Sequence, residues 1–204
     1  MAHILEGPVH LDFTDKHAGG VFRRPELLLH PPIPHSLYTV NPRNIEGKAW
    51  WDEVRRKAYA ENDYHCFACG AHQLDVEGRN MWLEAHECYD YDWINSEITF
   101  REVVALCPYC HKFIHFLGSL GKRHLKEVLI HGIGVLTEAG LEVPNAQHFM
   151  AKTLFPGALP DLPEVKSTFH KKFSHLTCTI WTLKYGGTRY DWRAATCSTA
   201  RTHK

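Results

Sequence analysis

Two pairs of cysteines and three histidines carry the chemistry open to this 204-residue chain. Cys66-Phe-Ala-Cys69-Gly70 and Cys107-Pro-Tyr-Cys110 are C-x2-C pairs with 37 residues, 70 to 106, between them. Two thiolates at this spacing grip one side of a tetrahedral Zn²⁺, and two such pairs complete a four-cysteine structural site. Gly70 permits the tight turn after the second thiolate. A redox disulfide pair would want a thioredoxin-like βαβ context, which is absent. The second pair runs straight into His111, with His115 four residues on. Helical residues turn by about 100° each, so His111 cannot point where Cys110 points, while His115 shares the His111 face. His86, from the stretch between the pairs, opposes them and makes three nitrogen ligands. Three protein ligands and an open position are the pattern of a catalytic metal. Each histidine alone reads as an ordinary surface or core residue; the conjunction carries the metal reading.

The flanking sequence must position these side chains. Residues 81–88 alternate as a strand, with Trp82, Glu84 and His86 on one face and Leu83, Ala85 and Glu87 on the other. A turn is expected over 89–96, then a returning strand over Ile98 to Leu106. Cys107-Pro108 opens a helix expected to reach about Leu120. Trp51, Val54, Ala58 and Tyr59 give residues 48–62 a helical stripe, and residues 122–139 form another amphipathic helix ending at Gly140. His124 and His131 on that helix lack ligand spacing and read as ordinary helix histidines. A short helix is expected around 145–154.

Residues 1–47 read as irregular, with Pro25, Pro31, Pro32, Pro34 and Pro42 making an extended surface arm over 25–44. Residues 48–155 hold the zinc region and its flanking helices, and Pro156, Pro160 and Pro163 mark a linker over 156–165. Residues 166–204 read as a basic β-hairpin, turning at Gly186-Gly187, with a tail. The fold class is α+β.

A C-x2-C-G knuckle, a hairpin bearing Glu84-Ala-His86 within Trp82-Leu-Glu-Ala-His-Glu87, and Leu106-Cys-x2-Cys-His-x3-His115 resemble the zinc-bound HNH, or ββα-metal, endonucleases. That family is a variation on the treble clef and includes small HNH-type proteins of bacteria and phages. The resemblance covers roughly residues 48–140. It implies metal-dependent hydrolysis of DNA phosphodiesters, with His86, His111 and His115 holding Mg²⁺, Mn²⁺, Ni²⁺ or Zn²⁺ and Glu84 orienting a ligand from behind. It places Glu87 where many members carry a histidine general base, and a carboxylate of ordinary pKa near 4.3 is a weak base. A one-residue shift makes His86 the base and removes a ligand. The family's bracing asparagine falls near Glu102, with Asn95 the nearest candidate. The competing reading is a treble-clef module without catalysis that binds nucleic acid or a protein.

Bulk properties set the remaining bounds. Hydrophobic content of 44% supports a buried core. No apolar run approaches ~18 residues, so no membrane span is expected. The N-terminus lacks a secretory pattern, which points to the cytoplasm, reduced thiols, and small buried or tail roles for Cys88, Cys178 and Cys197. The formal net charge is zero, yet residues 166–204 carry eight basic side chains against Asp191 alone. Arg55, Arg56, Lys112, Lys171 and Lys172 are the candidate phosphate contacts of a DNA partner. The Pro-rich arm and the terminal hairpin are candidate contacts for a protein partner.

Overall fold

The computed structural model describes residues 21–74, 82–116, 124–155 and 179–191. Among them are five helices and one four-stranded sheet, so the chain is α+β. Helices α1 (Pro42–Glu46) and α2 (Lys48–Glu61) come first. Strands β1 (Glu84–Asp92) and β2 (Glu97–Leu106) follow, then α3 (Pro108–Ile114), α4 (Leu125–Glu138), α5 (Asn145–Leu154), β3 (Thr182–Tyr185) and β4 (Thr188–Tyr190). No described helix is long and apolar enough to cross a membrane.

The Pro-rich segment departs from the expected extended arm. Pro25–Leu29 and His35–Leu37 are 3₁₀ turns, and Pro42 starts α1 behind an Asn41 cap whose side chain accepts from the Asn44 amide at 2.9 Å. Proline at the first helical position sacrifices no hydrogen bond, so a proline-rich stretch can still coil. Leu27, Leu28, Leu37 and Val40 are all buried, and that burial draws the segment onto the core.

Strands β1 and β2 are an antiparallel hairpin in which Glu84 faces Leu106 and Asp92 faces Glu97. The first strand is longer than its alternation suggests. It runs through to Asp92, past a register shift at Cys88 and Tyr89 that leaves Arg101 of β2 as the extra residue. The turn is confined to residues 93–96, where the Asp92 carboxylate accepts from the amides of Ile94 and Asn95. Trp82 precedes the strand and is 75% exposed.

Helix α3 is shorter than expected: His115 is its C-cap, and residues 117–123 lie outside the described set. It packs on α4, which begins at Leu125 rather than 122. The approach depends on Gly132, where a Cβ would collide with the Phe113 ring. Gly140, at φ +69°, closes α4, with its own amide on the Thr137 carbonyl and the Leu141 amide on that of Leu136.

The C-terminal hairpin is part of the sheet. Strand β3 runs parallel to β2, with Ile98 opposite Leu183, and pairs with β4 across Gly186-Gly187. Trp181 and Leu183 are fully buried with Leu37, Val40, Tyr89 and Ile98 in a second core, separate from the one under α3 and α4. The expected strand start at 176, the 156–165 linker, the terminal tail and the Gly19-Gly20 region lie outside the described residues.

Candidate metal centre

The knuckle is built by the turn that Gly70 permits at φ +78°. The Gly70 amide donates to the Cys66 carbonyl at 2.8 Å, and the Cys66 amide to that of Ala71 at 2.9 Å. The Phe67 amide donates to the Ala105 carbonyl of β2 at 2.9 Å, which docks the knuckle beside the second cysteine pair. That pair opens α3: Cys107 is the N-cap, and its Sγ accepts from the Cys110 amide at 3.4 Å.

Cys66, Cys69, Cys107 and Cys110 bring their sulfurs within 4.8 Å of one another. The Cys69 to Cys107 separation is 3.8 Å, matching the edge of a sulfur tetrahedron with metal bonds of about 2.3 Å. Thiols of Cys107 and Cys110 directed at Cys66 and Cys69 lower those two, while the donating thiols of Cys107 and Cys110 are themselves raised. The donor set fits a structural zinc.

His86, His111 and His115 form the second set, with ring nitrogens within 4.8 Å of one another. His86 is on β1 and 4% exposed; His111 lies on α3 and His115 caps it. His115 Nε2 faces His86 Nδ1 at 3.3 Å. Behind His111, Nδ1 is held by the Glu84 carboxylate, which leaves Nε2 with the free lone pair. The hydrogen bond from His111 draws the Glu84 carboxyl below its usual range. Burial, reinforced by neighbouring histidines, holds His86 well below the ordinary imidazole range and His115 at about 4. Both imidazoles are therefore neutral near pH 7, the state in which nitrogen binds metal.

Glu84, Cys66, Cys69, Cys107, Cys110, His86, His111 and His115 thus converge on two neighbouring clusters. Glu87 does not join them. It follows His86 on regularly paired strand and so takes the opposite face. Its carboxylate accepts from the Tyr89 hydroxyl at 3.1 Å, leaves Oε1 buried without a partner, and is raised by burial. Glu102 is equally committed, accepting from the buried Arg24 guanidinium at 2.8 Å. Asn95 sits in the far turn and donates to Asp92 at 2.7 Å.

The candidate phosphate contacts divide. Arg55 pairs with Asp52 at 2.9 Å and Arg56 donates to the Asp52 carbonyl at 2.8 Å. Lys112 is exposed on α3, next to His111, and Lys171 and Lys172 lie outside the described residues. Trp51 stacks under the Arg43 guanidinium at 4.2 Å and Trp50 packs against Phe100 and Tyr185, so both tryptophans are packing residues. Cys88 is buried and its thiol is raised by that burial.

Two histidines that sequence reasoning passed over lie against the clusters. His131 is no ordinary helix histidine: its Nε2 lies 3.2 Å from Cys110 Sγ and 3.8 Å from Cys107 Sγ. His30, at the end of the first 3₁₀ turn, places Nδ1 3.5 Å from His86 Nε2. No spacing rule reaches them, because each meets its partners only through the tertiary fold. No family model, curated protein or solved structure matches the chain.

Proposed function

We propose that the protein is a metal-dependent phosphodiester hydrolase of the HNH type acting on DNA, with the four cysteines as a treble-clef structural zinc. One observation carries the reading: three imidazoles, one buried and two half-buried, converge from a β-hairpin and the helix that follows it, with a carboxylate behind one of them. A divalent ion bound there would supply Lewis-acid stabilisation of a phosphoryl oxygen and a more acidic water. His86 and His115 contribute lone pairs that cost little to expose, because burial already keeps them neutral. Glu84 holds the His111 ring so that Nε2 faces the ion. Lys112, exposed next to His111, is placed to draw in a phosphate.

Glu87 is a poor candidate for the base in this arrangement, because its carboxylate is turned to Tyr89. That orientation, with Glu102 committed to Arg24, favours the second reading, a treble-clef module without catalysis that binds nucleic acid or a protein partner. Incubation of the protein with supercoiled plasmid and Mg²⁺, Mn²⁺, Ni²⁺ or Zn²⁺ separates the two. The hydrolase nicks in a metal-dependent manner, Glu87→Gln retains nicking, and His111→Ala abolishes it while keeping the fold and one zinc. Absence of nicking with every metal transfers the assignment to the binding module.

A further inference from the structure

The ring of His30, a half-buried residue, packs against the edge of β1, the outermost strand of the sheet. It is gripped from several sides. Its own amide closes the 3₁₀ turn on the Leu27 carbonyl at 3.1 Å, and the Tyr91 hydroxyl donates to the next residue's carbonyl, Pro31 O, at 3.0 Å. Tyr91 also packs edge-on to the His30 ring, with centroids 5.5 Å apart. Both backbone groups of Tyr89 face His30 across this edge: the amide nitrogen and the carbonyl oxygen each lie 2.9 Å from Nε2.

One nitrogen cannot serve both groups at once. A protonated Nε2 donates to the Tyr89 carbonyl; an unprotonated one accepts from the Tyr89 amide. The choice propagates along His30 Nδ1, His86 Nε2, His86 Nδ1 and His115 Nε2, at separations of 3.5 Å between the first two rings and 3.3 Å between the last two. In one state the Tyr89 amide donates to His30 Nε2, His30 Nδ1–H to His86 Nε2, and His86 Nδ1–H to His115 Nε2. Every ring-to-ring hydrogen bond is made, the Tyr89 carbonyl goes without the His30 donor, and His86 has no free lone pair for a metal. In the other state His30 Nε2–H donates to the Tyr89 carbonyl and His86 Nε2–H to His30 Nδ1. The lone pairs of His86 Nδ1 and His115 Nε2 then face each other, an arrangement that requires a cation between them.

We propose that His30 is a positioning residue for the histidine metal site and that metal entry flips the tautomers of His30 and His86 together. The inference rests on the metal reading given above. The proton count does not change: His86 Nδ1 loses one, His30 Nε2 gains one, and the proton between the rings passes from His30 Nδ1 to His86 Nε2. Both imidazoles are neutral before and after. Partners behind ligating histidines select the tautomer and typically alter metal affinity about 10- to 100-fold.

The test is imidazole ¹⁵N NMR on the full chain carrying zinc in its cysteine site, before and after one further equivalent of Zn²⁺. The signals of His30 are assigned by their loss in His30→Gln. On zinc addition, His30 Nδ1 changes from the protonated to the unprotonated shift class and Nε2 changes in the opposite sense. Unchanged His30 shifts on zinc binding overturn the proposal. In parallel, His30→Phe, with ring bulk but no nitrogen, weakens the second zinc about 10- to 100-fold. His30→Gln, whose amide both accepts and donates, recovers part of that loss. Wild-type affinity in His30→Phe also overturns the proposal. A wild-type protein that takes up no zinc beyond the cysteine equivalent refutes the metal reading itself, and is recognised by stoichiometry before any shift is read.

Discussion

At the scale of single residues the two centres differ in what they do for the chain, and substitutions separate them. Glu84 touches the histidine centre only through His111 Nδ1. Glu84→Gln keeps an acceptor but removes the charge that orients and enriches the ring, so second-site metal affinity should fall about 10- to 100-fold with the fold unchanged. Cys107 caps α3 and supplies a sulfur to the cysteine cluster in the middle of the larger core. Zinc binding at such a site is worth about 10–16 kcal/mol and is drawn from folding, so Cys107→Ser should lose its cooperative melt. Calorimetry with metal titration distinguishes the two: a folded Glu84→Gln with weak second-metal binding, and an unfolded Cys107→Ser. The four cysteines, His111 and His115 are legible in the sequence as candidate ligands because knuckle and helix spacings are local rules, and His86 joins them through its place on the strand between the pairs. His30 and His131 are not legible, since each reaches its partner across 56 and 21 residues by tertiary packing alone. Glu87 shows the opposite failure. Alternation alone puts it across the strand from His86, and a motif match places it at the base position despite that.

At the scale of elements, hydrophobic periodicity locates α2, α4 and α5 well, whereas the proline count misdirects the reading of residues 25–44. Proline excludes helix interiors but not first turns, and the leucines following Pro25 decide the outcome by burial. The end of β1 is hidden for a different reason: Asp90 and Asp92 read as turn residues, yet the strand continues past the register shift, whose extra residue, Arg101, lies on β2. Helix α4 offers a matched test of what packing adds to propensity. Gly132 and Gly134 stand two residues apart on it, one buried under the Phe113 ring and one exposed, with open space for 4 Å around the point a Cβ would occupy. Gly134→Ala should stabilise the protein by about 0.5–1 kcal/mol through helix propensity. Gly132→Ala gains the same propensity but forces Phe113, which lies in the core beside Cys110, to move. Overpacking of about 1–3 kcal/mol should outweigh that gain and give net destabilisation. Urea denaturation midpoints moving in opposite directions would bear this out; equal upward shifts would mean that α3 and α4 separate freely.

At the scale of the whole molecule, the C-terminal charge and the C-terminal fold must be separated before either is assigned a role. Residues 166–204 carry eight basic side chains against one acidic in a chain of zero formal net charge, which suggests a polyanion contact. Two of those charges are already committed: Lys184 and Arg189 both pair with the buried Glu97 carboxylate and so fasten the hairpin to β2. The hairpin in turn delivers Trp181 and Leu183 to the second core. Deleting the whole segment would therefore test stability rather than DNA contact. Trp181→Ala alone should cost about 3–5 kcal/mol, a large share of the ~5–15 kcal/mol that holds a typical domain together. The charge is tested instead by Lys171→Ala with Lys172→Ala, outside the described strands. If these lysines meet phosphates, each phosphate pairing removed should lower the slope of log affinity against log salt by about 0.9, with the melting temperature unchanged. An unchanged slope would remove Lys171 and Lys172 as phosphate contacts, and leave Lys112 beside the histidine centre as the contact to test next.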